Sequence, residues 1–296
     1  MSGKLYPDLP EVGPLELGKR VFREFRSDDM PLYAAALSYH SLLAIFPFLI
    51  FLLGLLSFLR IPGFFEWVIE QGNVALPPDA ARVVNDVVAG IQEGGNGGLL
   101  SFGALFALGA ASTGVRALMS ALNTAYDIAE TRAWWKKYPL SVIYTLGLAV
   151  LLIIASAGFV LGPQTAQWLS GKVGLGDAFV MIWAWLRFPV VVVILMLVAA
   201  LVYYVVPNVD QPFRFITPGA MIAVLIWILA SIGFSVYVNN FSTYNATYGS
   251  LGGIVILLLY FFISAAVLLL GAEINAEIYQ LKRGHAEPQD TSGVEE

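Results

Sequence analysis

Six blocks of apolar residues alternate with polar connections along this chain of 296 residues, at 33–59, 99–126, 139–160, 178–206, 215–238 and 250–279. Each is long enough to cross a hydrocarbon core of ~30 Å, which takes about 20 helical residues. The pattern predicts an all-α, polytopic transmembrane bundle of six spans, forming one integral membrane domain over residues 1–284. Two connecting regions read as short amphipathic helices. In 15–26, Leu17, Val21, Phe22 and Phe25 recur at helical spacing among Lys19, Arg20, Arg23 and Arg26. Such a helix can lie on an anionic membrane surface or pack against the bundle, and both readings stay open. The segment 61–98 is rich in Gly and Pro and too polar to span, with FFEWVIE and ARVVNDVVAGIQ as its helical pieces. It is placed on the outer surface. The acidic tail 285–296 is expected to be disordered.

Composition sharpens this picture. With 58% apolar and 12% charged residues, against about 25% charged in an ordinary soluble domain, the chain has more apolar surface than one water-soluble core can hide. Cysteine is absent, which excludes disulfides, thiolate metal sites and a cysteine nucleophile. Residues 1–30 are charged and interrupted by prolines, so the first span is expected to serve as its own insertion signal.

The net charge of -5 matters less than its placement. Lys4, Lys19, Arg20, Arg23, Arg26, Arg132, Lys136, Lys137, Arg214, Lys282 and Arg283 gather on one side, against Arg60, Arg82 and Lys172 on the other. Positive charge is retained in the cytoplasm, so both termini are expected there, in a bacterial inner membrane. Trp134, Trp135, Tyr138, Trp168, Trp183 and Trp185 fit interfacial belts. Gly103, Ala107 and Ala111 share one helical stripe, where small side chains let backbones approach in lipid.

Polar groups within a span are functional candidates, because lipid does not solvate them. In the second block Gly109, Ser112, Thr113, Arg116, Ser120, Asn123 and Asp127 recur at intervals of three and four, which places them on one inward face. That face either lines a cavity or satisfies itself through hydrogen bonds between helices. With both termini inside, Arg116, His40 of the first span and Glu273, Asn275 and Glu277 of the sixth reach the cytoplasmic half. An Arg116–Glu273 ion pair would offset the burial of both charges. The alternative is that the two glutamates only end a helix, although acids near a helix C-terminus oppose its dipole. His40 is a candidate for proton coupling, since imidazole is the side chain that changes charge near physiological pH, and the other reading is a hydrogen-bonded structural imidazole. Arg187 reads as an interfacial anchor. Pro47, Pro207 and the Gly252–Gly253 pair are candidate hinges. The uncharged connection VYVNNFSTYNATYGSLGG is either a site for a polar headgroup or a capped turn.

The segments AAALSYHSLLAIFPFLI, RALMSALNTAYDI, YYVVPNV, TPGAMIAVLIW and YGSLGGIVILLLYFFISAAVLLLGAEINAE resemble the YihY/BrkB family of bacterial inner-membrane proteins, once labelled ribonuclease BN. The resemblance extends from the first span through the sixth and implies a six-span inner-membrane protein. His40 departs from it, since the family commonly has an aromatic residue there. The residues argue against nuclease chemistry. A metal-dependent nuclease needs clustered His and carboxylate ligands, and the chain's two histidines are His40 and His285. There is no Gly-rich phosphate loop before a Lys and no nucleophile elbow. The polar stripe of the second block and the charged groups facing it motivate the expected function, transport or flipping of a lipid or other amphiphile, without cofactor, metal or nucleic acid. Membrane lipids and a second copy of the chain are its expected partners. A membrane scaffold is the alternative, and an intramembrane enzyme using Glu273 and His40 ranks last.

Overall fold

The computed structural model describes residues 13–58, 69–70, 82, 85, 89, 97–160, 176–209, 211, 215–240 and 250–286. Among these residues there are seven helices and no strand: α1 Pro14–Ser27, α2 Met30–Phe58, α3 Gly97–Ala125, α4 Trp134–Val160, α5 Gly176–Val205, α6 Pro218–Asn240 and α7 Ser250–Ala286. Every apolar block of the sequence is thus a helix, with ends shifted by a few residues. Four helices contain described segments long and apolar enough to cross a membrane: Gly103–Ala125, Phe188–Val205, Pro218–Val238 and Gly252–Leu281. α2, Met30–Phe58, includes the described apolar run Met30–Ile45. The helical pieces expected in 61–98 lie almost wholly outside the described residues. So does the tail beyond position 286, while its first two residues, His285 and Ala286, still belong to α7.

Local chemistry explains several helix ends. α4 begins five residues before its apolar block because the Ala133 carbonyl accepts from Lys136 and Lys137, opening a helical turn through the basic stretch. α3 stops where Asp127 takes a left-handed backbone, φ 54°. The Ile128 N–H then bonds the Asn123 carbonyl at 2.9 Å and the Asp127 N–H the Thr124 carbonyl at 2.9 Å. This is the paired C-terminal closure usually built on Gly, and Asp tolerates the same conformation. α6 starts at Pro218, whose missing N–H costs nothing at that position. The next two orphan donors are both met: Ala220 N–H by Thr217 Oγ1 at 3.2 Å and Gly219 N–H by Asn275 Oδ1 of α7 at 2.9 Å. Asn275 Nδ2 also donates to Thr217 Oγ1 at 3.0 Å.

Packing brings α2 against α3 and α7, α7 against α6, and α4 between α3 and α5. The core runs through Met30, Ala34, Met119, Leu122, Tyr203, Ala220, Leu269 and Ala272. α6 and α7 meet at two glycines. A side chain on Gly219 would overlap the Gly271 backbone, and one on Gly271 would meet Ala223 Cβ at 2.7 Å, the Gly219 carbonyl at 2.8 Å and the Tyr203 hydroxyl. Small residues at a helix contact are how lipid-embedded helices gain dispersion contact. The outer faces carry the complement. Leu225, Leu229, Ile232 and Val236 of α6, Met181, Trp185 and Val193 of α5, and Ile143, Leu146 and Val150 of α4 are all exposed, Leu229 at 69%. An exposed apolar area of this extent suits acyl chains, not water.

α1 is in contact with the bundle. Val21 is buried against Ile274 and Ile278 of α7, with Leu17 alongside, so the helix packs on the bundle.

Candidate functional site

The polar positions of α3 divide among three environments. Ser112, Thr113, Arg116 and Ser120 line the seam with α4. Arg116 donates from Nη1 to Ser141 Oγ at 3.2 Å and from Nη2 to Thr113 Oγ1 at 2.7 Å, and its guanidinium carbon stands 4.5 Å from the Tyr138 ring centre. Ser141 in turn donates to the Tyr138 carbonyl, Thr113 to Gly109 and Ser120 to Arg116, each within its own helix. Thr145 Oγ1 reaches Ser112 Oγ at 3.4 Å, and Lys137 Nζ reaches Ser120 Oγ at 3.5 Å. The seam is therefore a ladder of hydroxyls with one guanidinium set into it. The expected Arg116–Glu273 ion pair is not formed. The rotation of α3 aims Arg116 at α4, whereas Glu273 faces the other side of the bundle, where α1 packs. Gly109 is exposed, so the predicted stripe does not turn inward along its whole length.

Asn123 belongs to a second cluster, which ties α3 to the α3–α4 and α5–α6 connections. It is buried, donates to Glu130 Oε2 at 3.0 Å and accepts from the Asn208 N–H at 2.7 Å. Arg132 donates to Asn208 Oδ1 and to the carbonyls of Val206 and Pro207 at 3.0–3.2 Å. Lys137 closes on Glu130 at 3.6 Å. Pro207, a hinge candidate from sequence, is thus fastened in place. Glu130 and Asn208 were not singled out from sequence, and Arg132 entered only as a topology charge. Their signal lay in charged and amide residues flanking the ends of apolar blocks, which hydropathy assigns to solvent.

The third environment, where α1 and the turn into α2 meet α7 and the end of α3, is acidic. Glu273 is 2% exposed, and its Oε1 has no hydrogen-bond partner. The carboxylates facing it are Asp28, Glu24, Asp127 and Glu277. Arg20 Nη1 lies 3.5 Å from Glu277 Oε1, and Arg20 Nε lies 3.6 Å from Glu16. Gln280 donates to Asp127 Oδ2 at 2.6 Å. Burial pushes the Asp28 carboxyl up to about 6, helped by the charges of Asp127, Glu24 and Asp29. Glu273 and Glu277 are therefore grouped with Asp127 and with the acids of α1 and its turn, and not with Arg116 or His40. His40 sits on the α2–α3 contact, edge-on to Tyr39 with ring centres 5.7 Å apart, and its Cβ would be 3.3 Å from a side chain placed on Gly114. Asn275, the third α7 candidate, serves as the cap of α6. Among the described residues no three His, Asp or Glu side chains stand together in a way that could hold a metal ion.

Helices of this length and hydropathy, with an apolar exterior and polar groups confined to their seams, define an α-helical integral membrane protein. The chain belongs to the virulence factor BrkB family, whose model matches residues 21–294. It is 36% identical over 266 residues to a Bacillus subtilis (strain 168) protein named ribonuclease-like protein YfkH, covering 90% of this chain and 96% of that one. It is 27% identical over 280 residues to a UPF0761 membrane protein of Xanthomonas oryzae pv. oryzae (strain PXO99A). The match covers 88% of this chain and 60% of that protein, so the chain spans about three fifths of the length of the Xanthomonas relatives. No solved structure matches the chain.

Proposed function

We propose that the protein moves a lipid or other amphiphile across the bacterial inner membrane. In this reading all six long helices span and both termini are cytoplasmic. The observation that carries it is the seam between α3 and α4, where Ser112, Thr113, Arg116, Ser120, Ser141 and Thr145 form a continuous polar track. A guanidinium held by hydroxyls and an aromatic ring keeps its charge available to an anionic headgroup, while the apolar outer faces of α4 to α6 remain in contact with acyl chains. Such a track lets a headgroup cross while its tails stay in lipid.

One observation favours a scaffold instead. Arg116 already has two hydroxyl acceptors and a ring, as a purely packed guanidinium would. The enzyme reading, including the ribonuclease-like name of the Bacillus relative, finds less support, because its two residues, Glu273 and His40, lie in different environments. The test is reconstitution of the purified protein into vesicles, assayed for lipid scrambling and for uptake of charged solutes, with and without a proton gradient. Movement of lipid above the protein-free rate supports transport. Inactivity in both assays refutes it and leaves the scaffold.

A further inference from the structure

Glu273 is the most deeply buried carboxylate among the described residues, on the longest helix, and one of its oxygens has no hydrogen-bond partner. A buried ionised carboxylate needs a compensating charge or a full set of donors. The ionisable groups facing it supply neither. From α1 come Glu24 and Arg20, the latter already shared between Glu277 and Glu16. The α1–α2 turn presents Asp28, and the end of α3 presents Asp127 and Tyr126. Tyr126 has its own buried hydroxyl beside Gln211, whose amide donates to the Tyr203 carbonyl. α7 itself adds Glu277, and Tyr279 packs edge-on against Tyr126 at 6.2 Å. From α5 comes Tyr203, whose hydroxyl is committed to the Leu268 carbonyl at 2.7 Å, and α6 has no charged residue in its sequence. Four carboxylates thus bear on a fifth, and the one guanidinium nearby is bonded to Glu277.

A cation must balance this face. Among the described residues no three His, Asp or Glu side chains stand together to hold a metal ion, and Glu273 is enclosed at 2% exposure. We infer that Glu273 is a proton-binding site, and that the proton is the cation this acidic face takes up. The proton is delivered from water at the α1 end and adds to one carboxylate oxygen of Glu273, converting the carboxylate to the neutral acid. It leaves by the same route, and no other bond changes. The raised carboxyl of Asp28 in the adjoining turn stands where a relay to solvent would begin. As a coupling site Glu273 deepens the transport reading and rests on it, whereas as a proton site it does not.

The experiment is pH-difference infrared spectroscopy of the full chain in lipid nanodiscs, following the C=O stretch of protonated carboxyl groups. The wild type should show a band that titrates, that survives Asp28→Asn and Asp127→Asn, and that is lost in Glu273→Gln. A wild type without such a band, or a band that persists in Glu273→Gln, overturns the inference. If Glu273→Gln does not fold, Glu273→Asp supplies the same decision, since a proton site there must keep the band at a shifted frequency. Lipid movement by the same preparations across a pH series separates the two claims. A band lost in Glu273→Gln with no lipid movement at any pH sinks the transport reading while the proton site stands. Movement with the same pH profile in wild type and Glu273→Gln overturns the coupling role.

Discussion

Replacing Gly271 by alanine tests the close contact between α6 and α7. The new methyl would lie 2.7 Å from Ala223 Cβ and 2.8 Å from the Gly219 carbonyl, and would also press on the Tyr203 hydroxyl. Two of these neighbours are backbone or Cβ atoms, which cannot swing aside, so α6 and α7 must separate. Overpacking of this kind costs about 1–3 kcal/mol. Displacing Tyr203 from the Leu268 carbonyl adds about 1 kcal/mol. Alanine's better helix propensity returns about 1 kcal/mol, for a net loss of about 1–3 kcal/mol. Gly109→Ala is the internal control, since nothing stands within 4 Å of its added methyl and only the propensity gain applies. Unfolding of the purified variants in mixed micelles, followed by loss of helical circular dichroism against denaturant, measures both. Gly271→Ala should unfold at lower denaturant than the wild type and Gly109→Ala at equal or higher denaturant. A Gly271→Ala protein as stable as the wild type would refute the close approach of α6 and α7.

Two further predictions follow from the polar clusters. Asp28 binds its proton more tightly in the fold than in the unfolded chain, about 6 against 3.8, so its ionised form opposes folding at neutral pH and the penalty fades as pH falls through 6. With solvent screening at this half-buried site the effect is at most about 1 kcal/mol; Asp28→Asn should raise the unfolding midpoint at pH 7.5 and leave it unchanged at pH 4, and an equal midpoint at pH 7.5 would contradict the cause given. Asn123→Ala strips two hydrogen bonds and leaves the Asn208 N–H without its acceptor, which should cost about 2–3 kcal/mol and lower the yield of folded protein. A fully folded, inactive Asn123→Ala would instead return Asn123 to the substrate path.

Hydropathy located the helices because burial in lipid acts on every side chain of a span, so even a helix such as α6, with Leu225, Leu229 and Ile232 outward, is visible as one long block. It could not give the rotation of one helix against its neighbours. Arg116 and Glu273 share no contact because α3 turns the first towards α4 and α7 turns the second towards α1, and periodicity alone does not distinguish one inward direction from another. The α4 start at Trp134 was hidden by its lysines. The end of the second block at 126 was legible to within one residue of the observed end at Ala125, while the closure there, with Asp127 doing the work usually given to Gly, was not. Asn275 looked like a candidate for chemistry and is the cap of a neighbouring helix, a role set by tertiary contact. Glu273 and Glu277 were legible as exceptional residues, but the acids gathered around them from α1 and its turn were not, since those lie some 250 positions away in the chain.

The transport reading is tested most directly by the movement of headgroup-labelled phospholipid in vesicles containing wild-type protein or Arg116→Ala at equal abundance. The variant is expected to fold, because Ser141 and Thr113 keep their bonds to the Tyr138 and Gly109 carbonyls. Wild-type vesicles should exchange labelled lipid between leaflets faster than protein-free vesicles, and Arg116→Ala should fall to the protein-free rate. Wild-type exchange no faster than in protein-free vesicles, or an undiminished rate in Arg116→Ala, would contradict the account.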